Sequence, residues 1–216
     1  VLNNTQIKSY SNNKKNMKII IISGPSGSGK TTLSKKLSSN LENSFVISTD
    51  DYYKTGLKSK ILSFIVDSYF DRVISLNTTL LNQDISMIIK ENRSYHTYKY
   101  NFKNKTITKI KKKLINIKYL IIEGIFSNEF LSYLFENNHL YVNLEIKKSE
   151  CLERILKRDP QERGKGRLKI IKSFHKSWII YYKREHRNFI NKKLNKLTLK
   201  KDPQVHYIIK NLSKLS

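Results

Sequence analysis

Cysteine is almost missing from this chain of 216 residues, which contains one, Cys151. A single cysteine excludes an intramolecular disulfide and a cysteine-based metal site. Disulfides are typical of oxidising compartments, so their exclusion fits a reducing one. We therefore expect the protein in the cytoplasm, or in the stroma or matrix of an organelle if an AT-rich organelle genome encodes it.

Long apolar runs are missing as well. The longest, residues 19–22 and 119–122, fall far short of the roughly 20 residues that span a bilayer. Residues 1–16 are polar, lack the apolar core of a secretory signal, and contain no arginine of the kind that organelle-targeting peptides carry. We expect neither secretion nor a membrane partner, and we expect residues 1–16 to be a flexible extension ahead of one domain, residues 17–216.

Acidic residues are scarce, with 17 Asp and Glu against 42 Lys and Arg, so the formal net charge is +25. Such an excess is typical of proteins that bind nucleic acid. Lysine, asparagine, isoleucine, tyrosine and phenylalanine are all abundant, however, as expected of a protein from an AT-rich genome, and the charge is spread along the chain. A nucleic-acid partner therefore stays open as the less favoured reading.

Glycine is also scarce, yet three of the 7 glycines lie within one short stretch. Residues 24–31 fit the P-loop pattern G-x-x-x-x-G-K-[ST], whose glycines let several backbone N–H groups point at one anion. Lys30 would place a positive charge at the β- and γ-phosphates, and Thr31 would offer a hydroxyl to Mg²⁺. The residues expected to bind a nucleoside triphosphate are Gly24, Pro25, Ser26, Gly27, Ser28, Gly29, Lys30, Thr31 and Thr32.

The residues on either side of this loop predict the structure that a P-loop needs. Four successive isoleucines at 19–22 indicate a strand buried on both faces, and Leu33, Leu37 and Leu41 have helical spacing. The phosphates would then lie at a helix N-terminus. Further strands are predicted at residues 45–48, 119–124, 140–146 and 206–209. Strands that alternate with helices predict an α/β fold of the P-loop NTPase type, a doubly wound parallel sheet of about five strands with flanking helices.

The segments between the strands are predicted as follows. Helices are expected at residues 80–89, 126–137, 148–157 and 168–191, and residues 54–78 combine loop and helix signals. Residues 95–108 alternate loosely, which predicts a small β-hairpin or flap, and a solvated basic run follows at 109–113. The charged, glycine-broken segment at 158–167 could close over a bound nucleotide and exclude water.

Two carboxylates follow predicted strands. Asp50 comes just after residues 45–48, and Glu123 ends the strand at 119–124. The carboxyl ends of parallel strands form the ligand-binding edge of an open sheet, so both are expected near the P-loop. Asp50 could be a base, a metal ligand or a turn cap; Glu123 could reach Mg²⁺ or be a solvated strand-end carboxylate. Asp51 could compete with Asp50.

Other candidate groups are less specific. Arg154, Arg158 and Arg163 could act on a nucleotide or form a solvated basic face. The five histidines have no metal-ligand spacing. Aromatic residues at 178, 181 and 182 are expected to pack within a helix rather than to stack on a nucleobase.

Taken together, the motifs resemble the uridine kinase and phosphoribulokinase family of P-loop kinases. Besides the P-loop, residues 47–54 are similar to the family's I-S-x-D-S-F-Y-K, and residues 121–125 to I-I-E-G-I. Residues 154–165 resemble the lid segment R-x-x-x-R-D-x-x-E-R-G-R more loosely, with Lys165 in place of the last arginine. Residues 207–209 are similar to the closing strand A-D-I-I-I, so the resemblance covers about residues 17–210.

The resemblance implies ATP-dependent phosphoryl transfer to a hydroxyl of a small molecule, with Mg²⁺ as cofactor. It implies an acceptor flap at about residues 95–108 and a helical lid at about 154–168. By position, Asp50 would be the general base and Lys30 would neutralise the phosphates. The other implied groups are the lid residues Arg158 and Arg163, the metal ligands Thr31, Asp50 and Glu123, and the acceptor-binding residues Asp50, Tyr53, Asp71 and Tyr98.

The acceptor motifs depart from those of uridine kinases. The motif N-F-D-H-P-D-A-F-D reads Y-F-D-R-V-I-S-L-N at residues 69–77, with Ile74 where the second Asp helps to hold the ribose. The motif P-x-Y-D-F-x-x-H-S-R reads H-T-Y-K-Y-N-F-K-N-K at 96–105, which keeps Tyr98 but has lysine in place of Asp, His and Arg.

Several readings of the acceptor and of the activity follow from this departure. Uridine or cytidine, a related sugar and a sugar phosphate stay open as acceptors, and the three lysines would suit an anionic one. The alternatives to a kinase are an ATP-binding protein associated with nucleic acid and a kinase fold without activity. A homo-oligomer is compatible with each of them.

Overall fold

The computed structural model describes residues 17–66, 68–129, 138–164, 166–189, 196–200 and 205–215. These residues contain the strands β1 (Lys18–Ser23), β2 (Ser44–Ser48), β3 (Arg93–Asn101), β4 (Thr106–Ile115), β5 (Tyr119–Glu123), β6 (Asn138–Leu144) and β7 (Lys196–Leu199). They also contain the helices α1 (Lys30–Asn40), α2 (Leu57–Ile65), α3 (Thr78–Glu91), α4 (Lys148–Arg163), α5 (Arg167–Phe189) and α6 (Val205–Ser213). The predicted extension at residues 1–16 and most of the helix predicted at 126–137 lie outside the described residues.

Five strands form one parallel sheet in the order β2-β5-β1-β6-β7. The isoleucine strand β1 lies at its centre, and Ile21 pairs with Ile122 on one side and with Tyr141 on the other. After β1 the chain forms β2 and β5 on one side of this central strand, and it later forms β6 and β7 on the other side. This topology opens a crevice at the carboxyl end of β1, where the P-loop begins. The predicted doubly wound α/β fold is confirmed.

The isoleucine run divides its side chains between the two faces of the sheet because strand residues alternate in direction. Ile19 and Ile21 pack with the apolar stripe of α3, whereas Ile20 and Ile22 pack with apolar residues of α1, α4, α5 and α6. All four side chains are completely buried. Helices therefore cover both faces of the sheet, which fixes the loops at its carboxyl edge. None of the helices within the described ranges is long and apolar enough to cross a membrane.

The strand predicted at residues 206–209 is wrong, because these residues belong to helix α6. Val205, Ile208, Ile209 and Leu212 lie three or four residues apart and pack on the α1 side of the sheet. A short apolar run cannot distinguish a strand from a buried helix, and the spacing over nine residues favours the helix. The fifth strand is instead β7, whose exposed and partly buried residues alternate at the edge of the sheet.

The hairpin and the helix predicted at residues 148–157 are both longer than predicted. Strands β3 and β4 extend the hairpin to residues 93–115, so the solvated basic run at 109–113 is an exposed part of β4. Helix α4 continues through Pro160 to Arg163. Its last turn carries side-chain ion pairs at i, i+4 spacing, from Arg158 to Glu162 and from Arg163 to Asp159, which compensate for the backbone bond that proline removes.

Buried polar contacts hold the hairpin against the carboxyl edge of the sheet. Asp51 accepts a hydrogen bond of 2.9 Å from the backbone N–H of Tyr100. The Tyr52 hydroxyl donates to Asp84 on α3 over 2.8 Å, and His96 of β3 lies 3.6 Å from the same carboxylate. The hairpin is therefore anchored at two points beside Asp50.

The junction after β5 allows a direct test of this packing. Gly124 has a φ of +143°, and a Cβ at this position would collide with the side chain of Thr49, which follows β2. We expect Gly124→Ala to lower the free energy of unfolding by about 3 kcal/mol, because overpacking adds to backbone strain. The control is Gly164→Ala, where φ is also positive but no atom lies within 4 Å of the new Cβ; it should cost about 1 kcal/mol. Equal losses in urea denaturation would contradict the close approach of the two strand ends.

Candidate active site

The P-loop connects β1 to α1 and ends in a glycine that starts the helix. Gly29 has a φ of +93°, a left-handed conformation that suits glycine. The Ser28 N–H donates to the Pro25 carbonyl over 3.2 Å, and the Lys30 ammonium donates to the same carbonyl over 2.9 Å. The lysine side chain therefore lies over the loop. Burial lowers the pKa of Lys30, while the charges of Glu123 and Asp50 act in the opposite direction.

Glu123 ends β5 directly beside the start of α1. The Thr31 hydroxyl donates a hydrogen bond of 3.1 Å to the Glu123 carboxylate. Glu123 is buried, with 2% of the residue exposed. Burial and the charge of Asp50 raise the pKa of Glu123, and the Lys30 charge partly offsets them. The parallel sheet thus brings Thr31 and Glu123, two of the three groups predicted to bind metal, into contact across 92 positions of sequence.

Two neighbouring aspartates after β2 have different surroundings. Asp50 acts electrostatically on both Lys30 and Glu123, and its buried Oδ1 atom has no hydrogen-bond partner among the described residues. Asp51 instead accepts from the hairpin backbone and lies 3.6 Å from the Lys99 ammonium. Asp51 therefore anchors the hairpin, and Asp50 is the carboxylate at the P-loop.

The donor atoms at this edge fit a magnesium nucleotide. Thr31 supplies a hydroxyl and Glu123 and Asp50 supply carboxylates, which are hard oxygen ligands of the kind that Mg²⁺ prefers. The unpartnered Oδ1 of Asp50 is a buried acceptor in need of a partner. Within the described ranges, no cluster of three or more His, Cys, Asp or Glu could hold a metal alone. Mg²⁺ is usually held by one or two carboxylates together with substrate phosphates.

Helix α4 brings three arginines towards the P-loop side of the sheet. Arg154 lies closest to the loop, with its guanidinium 3.5 Å from the carbonyl oxygen of Gly27. Arg158 donates to Asp159 at 2.6 Å, and its charge contributes to the lowered pKa of Lys30. Arg163 ends the helix, and its guanidinium lies 4.0 Å from the centre of the Phe102 ring in the hairpin. The lid helix is therefore in contact with both the P-loop and the hairpin.

Two neighbouring chambers, which share several lining residues, lie beside the hairpin, α4 and α5. The inner chamber reaches the P-loop, and its walls include Ser26, Asp50, Tyr53, Phe70, Asp71 and Arg163. The outer chamber shares Phe70, Asp71 and Arg163 with it and continues along the hairpin past Tyr100, Phe102, Lys103 and Lys105. Its volume is about 450 Å³, which suits a small molecule.

The residues predicted to bind the acceptor are only partly brought together. Tyr53 and Asp71 line the inner chamber, although the Tyr53 hydroxyl already donates to the Phe70 carbonyl over 2.9 Å. Tyr98 lines neither chamber. Its ring packs edge-on against Tyr52 at 5.3 Å, beside the Asp84 anchor.

Several residues of this site are not among those predicted from the sequence. Tyr100 and Phe102 stand two and four positions after Tyr98 in the chain, and the alternation of side chains along the hairpin could have identified them. Asp159 is buried between Arg158 and Arg163, and nothing in its spacing distinguishes it from a solvated charge.

Buried polar groups of helix α5 contact the ends of the strands that carry the site. Arg184 donates to the carbonyl of Ile125 and lies 3.6 Å from Glu129, just after the Glu123 strand. The Tyr181 hydroxyl is 2.9 Å from Ser23, at the end of β1. As predicted, Tyr181 packs within the helix interface rather than standing free, and Trp178 packs on the core. These contacts fix the ends of the two strands that carry the P-loop and Glu123.

The buried charge of Glu123 should lower the stability of the nucleotide-free protein and contribute to metal binding. The pKa of Glu123 is raised in the folded state. Its negative charge therefore lowers the free energy of unfolding at neutral pH, and this cost shrinks as the pH falls towards 4.5, because the carboxylate becomes protonated. We expect Glu123→Gln to raise the melting temperature of the nucleotide-free protein at pH 7, by a margin that shrinks as the pH falls to 4.5. The added stabilisation by Mg·ATP should shrink as well, since ligand binding stabilises the folded state. A variant that is less stable than the parent at pH 7 and responds fully to Mg·ATP would contradict both roles.

Comparisons with known proteins identify the family to which the chain is similar. The AAA domain family model matches residues 20–173. A uridine kinase from Borrelia duttonii is 31% identical over 160 residues, which cover 73% of this chain and 75% of that protein. A uridine kinase from Schizosaccharomyces pombe is 27% identical over 184 residues, and the chain spans only 39% of its length.

A solved structure extends the agreement to the fold. A protein from Silicibacter sp. TM1040, assigned as a fructose transport system kinase, superposes with a TM-score of 0.62 at 12% identity, over 92% of this chain and 100% of that one. The strand order, the loop geometry and the identity to the Borrelia relative all point to one family. The chain belongs to the uridine kinase family of P-loop kinases.

Proposed function

We propose that the protein transfers the γ-phosphoryl group of ATP to a hydroxyl of a small molecule. The observation that carries this proposal is the position of Asp50. Its carboxylate stands in the wall of the inner chamber together with Ser26 of the P-loop, and its buried Oδ1 has no partner among the described residues. An acceptor hydroxyl in this chamber could donate to Asp50 while it faces the phosphates held by the loop.

The residues of the site have different roles in the proposed phosphoryl transfer. The backbone N–H groups of the P-loop and the N-terminus of α1 bind the phosphates. Lys30 neutralises charge that develops on the transferred group, and Asp50 takes the proton of the acceptor hydroxyl. Thr31, Glu123 and Asp50 would hold Mg²⁺, which would supply further charge neutralisation at the phosphates.

The lid completes the site from the opposite side. Arg158 and Arg163 present positive charge to the transferred phosphoryl group and to the acceptor, and Asp159 fixes both guanidinium groups. The contact of Arg163 with Phe102 joins the lid to the hairpin. Closure of the lid over the substrate would therefore also position the hairpin. Closure would exclude water, which favours transfer to the acceptor over hydrolysis of ATP.

The experiment is an assay of acceptor-dependent ADP release over nucleosides, sugars, sugar phosphates and hydroxy acids. We expect ADP formation to rise at least tenfold with one chemical class over the rate without acceptor. ADP release that no acceptor stimulates, or release stimulated only by nucleic acid, would overturn the proposal and favour an ATP-binding protein of another kind.

A further inference from the structure

The wall of the outer chamber carries more positive than negative side chains. Lys103 and Lys105 enter it from the hairpin and Lys169 from the first turns of α5. Over the ranges that the structure describes, none of these three lysines forms an ion pair. Asp71 is the carboxylate of the chamber wall, and Arg163 adds a further cation at the passage to the inner chamber.

The side chain of Lys105 is held in place without a counterion. Its ammonium lies 5.6 Å from the centre of the Phe64 ring and 5.7 Å from that of Phe70, and it donates to the Ser63 hydroxyl over 3.3 Å. Cation–π contacts orient an ammonium but leave most of its charge available. The lysine is therefore a fixed positive group in the chamber wall rather than a mobile surface charge.

Two buried donors in the same chamber also have no hydrogen-bond partner among the described residues. The Tyr100 residue is 4% exposed, and its hydroxyl is one of these donors. The Nε of Arg163 is the other, and it lies 3.6 Å from the Asp159 carboxylate, beyond hydrogen-bond distance. Burying a donor without a partner costs free energy, so such groups usually meet a ligand or an ordered water. Both donors would be satisfied by an acceptor that carries negatively charged oxygen atoms.

We propose that the outer chamber binds an anionic group of the phosphate acceptor, a phosphate or a carboxylate. Lys103, Lys105 and Lys169 neutralise this group, and Tyr100 donates a hydrogen bond to it. The acceptor's hydroxyl then lies in the inner chamber against Asp50. This inference rests on the proposed function and names the class of substrate for the same site.

Matched acceptors with and without an anionic group test the proposal. ADP release is measured for ribose and ribose 5-phosphate, for glycerol and D-glycerate, and for uridine and uridine 3′-phosphate, which keeps its 5′-hydroxyl free. We expect the anionic member of at least one pair to be used with a kcat/KM at least tenfold above its neutral counterpart, and uridine to be a poor substrate. The phosphate and carboxylate pairs identify which anion the chamber takes.

Charge variants then locate the effect. The double variant Lys103→Ala/Lys105→Ala should reduce kcat/KM for the anionic acceptor at least tenfold, with the KM for ATP within about twofold of the parent. The double variant Lys111→Ala/Lys113→Ala is the matched control, because these two exposed lysines lie on the same hairpin but line neither chamber. An equal loss in the control would show a general effect of net charge and overturn the assignment.

Binding separates this inference from the proposed function. Stabilisation against heat by ribose 5-phosphate and D-glycerate is compared with that by ribose and glycerol, in the parent and in the double variant. Stabilisation by an anion that the double variant loses would support the charged site even if no ATP were consumed. Robust ATP consumption with equal use of neutral and anionic acceptors would overturn the inference and leave the kinase proposal standing.

Discussion

Replacement of Lys30 by alanine should reduce kcat for phosphoryl transfer by about 10²-fold or more while the protein stays folded. Lys30 is the buried cation of the P-loop, and its ammonium lies over the loop within reach of the phosphate site. Its charge stabilises negative charge that increases during transfer, so the loss should appear in kcat. Steady-state kinetics, with the far-ultraviolet circular dichroism spectrum as the test of folding, measure it.

The control for this variant is Lys35→Ala, an exposed lysine of the same helix that should leave kcat within twofold of the parent. A folded Lys30→Ala protein within threefold of parental activity would show that this loop is not the donor site.

Asp50→Asn should remove most phosphoryl transfer but leave the affinity for Mg·ATP within a few-fold. Asparagine keeps the shape of the side chain and loses the charge that accepts the proton of the acceptor, and general-base contributions are typically about 10²–10⁴-fold. ATP is expected to be held mainly by the loop backbone, Lys30 and Thr31. The measurements are kcat with a saturating acceptor and the Kd for Mg·ATP from calorimetry.

Asp51→Asn is the matched control, since the two aspartates are neighbours and differ in their contacts. The new amide oxygen can still accept from the Tyr100 N–H, so the hairpin should remain docked and activity should stay within about fivefold of the parent. An inactive Asp51→Asn protein beside an active Asp50→Asn protein would reverse the assignment of the base. Full activity in both would refute the catalytic role of this turn.

Much of the fold could be predicted because its centre has an unambiguous pattern. A run such as residues 19–22, followed by a P-loop and helical leucine spacing, is compatible with few other structures. The same reasoning failed at residues 206–209, where a four-residue apolar run was read as a strand. Only the longer spacing from Val205 to Leu212 and its packing on α1 define the helix.

The donor half of the site was predictable and the acceptor half was only partly so. Asp50 and Glu123 follow strands, and parallel pairing brings strand ends together whatever the sequence between them. A motif assigns Tyr98 to the acceptor, but its ring packs against Tyr52, whereas Tyr100 and Phe102 further along the hairpin line the outer chamber. The contact between Arg163 and Phe102 joins segments that are distant in sequence, and no local pattern encodes it.

The central claim is phosphoryl transfer to a small-molecule hydroxyl with Asp50 as the base, and the fate of labelled phosphate tests it most directly. The protein is incubated with [γ-³²P]ATP, Mg²⁺ and the acceptor that most stimulates ADP release, and the products are separated by chromatography. We expect the label to move to the organic acceptor in the parent and in Asp51→Asn, and to remain on ATP in Asp50→Asn. Label that appears only as inorganic phosphate, at the same rate in all three proteins, would contradict it.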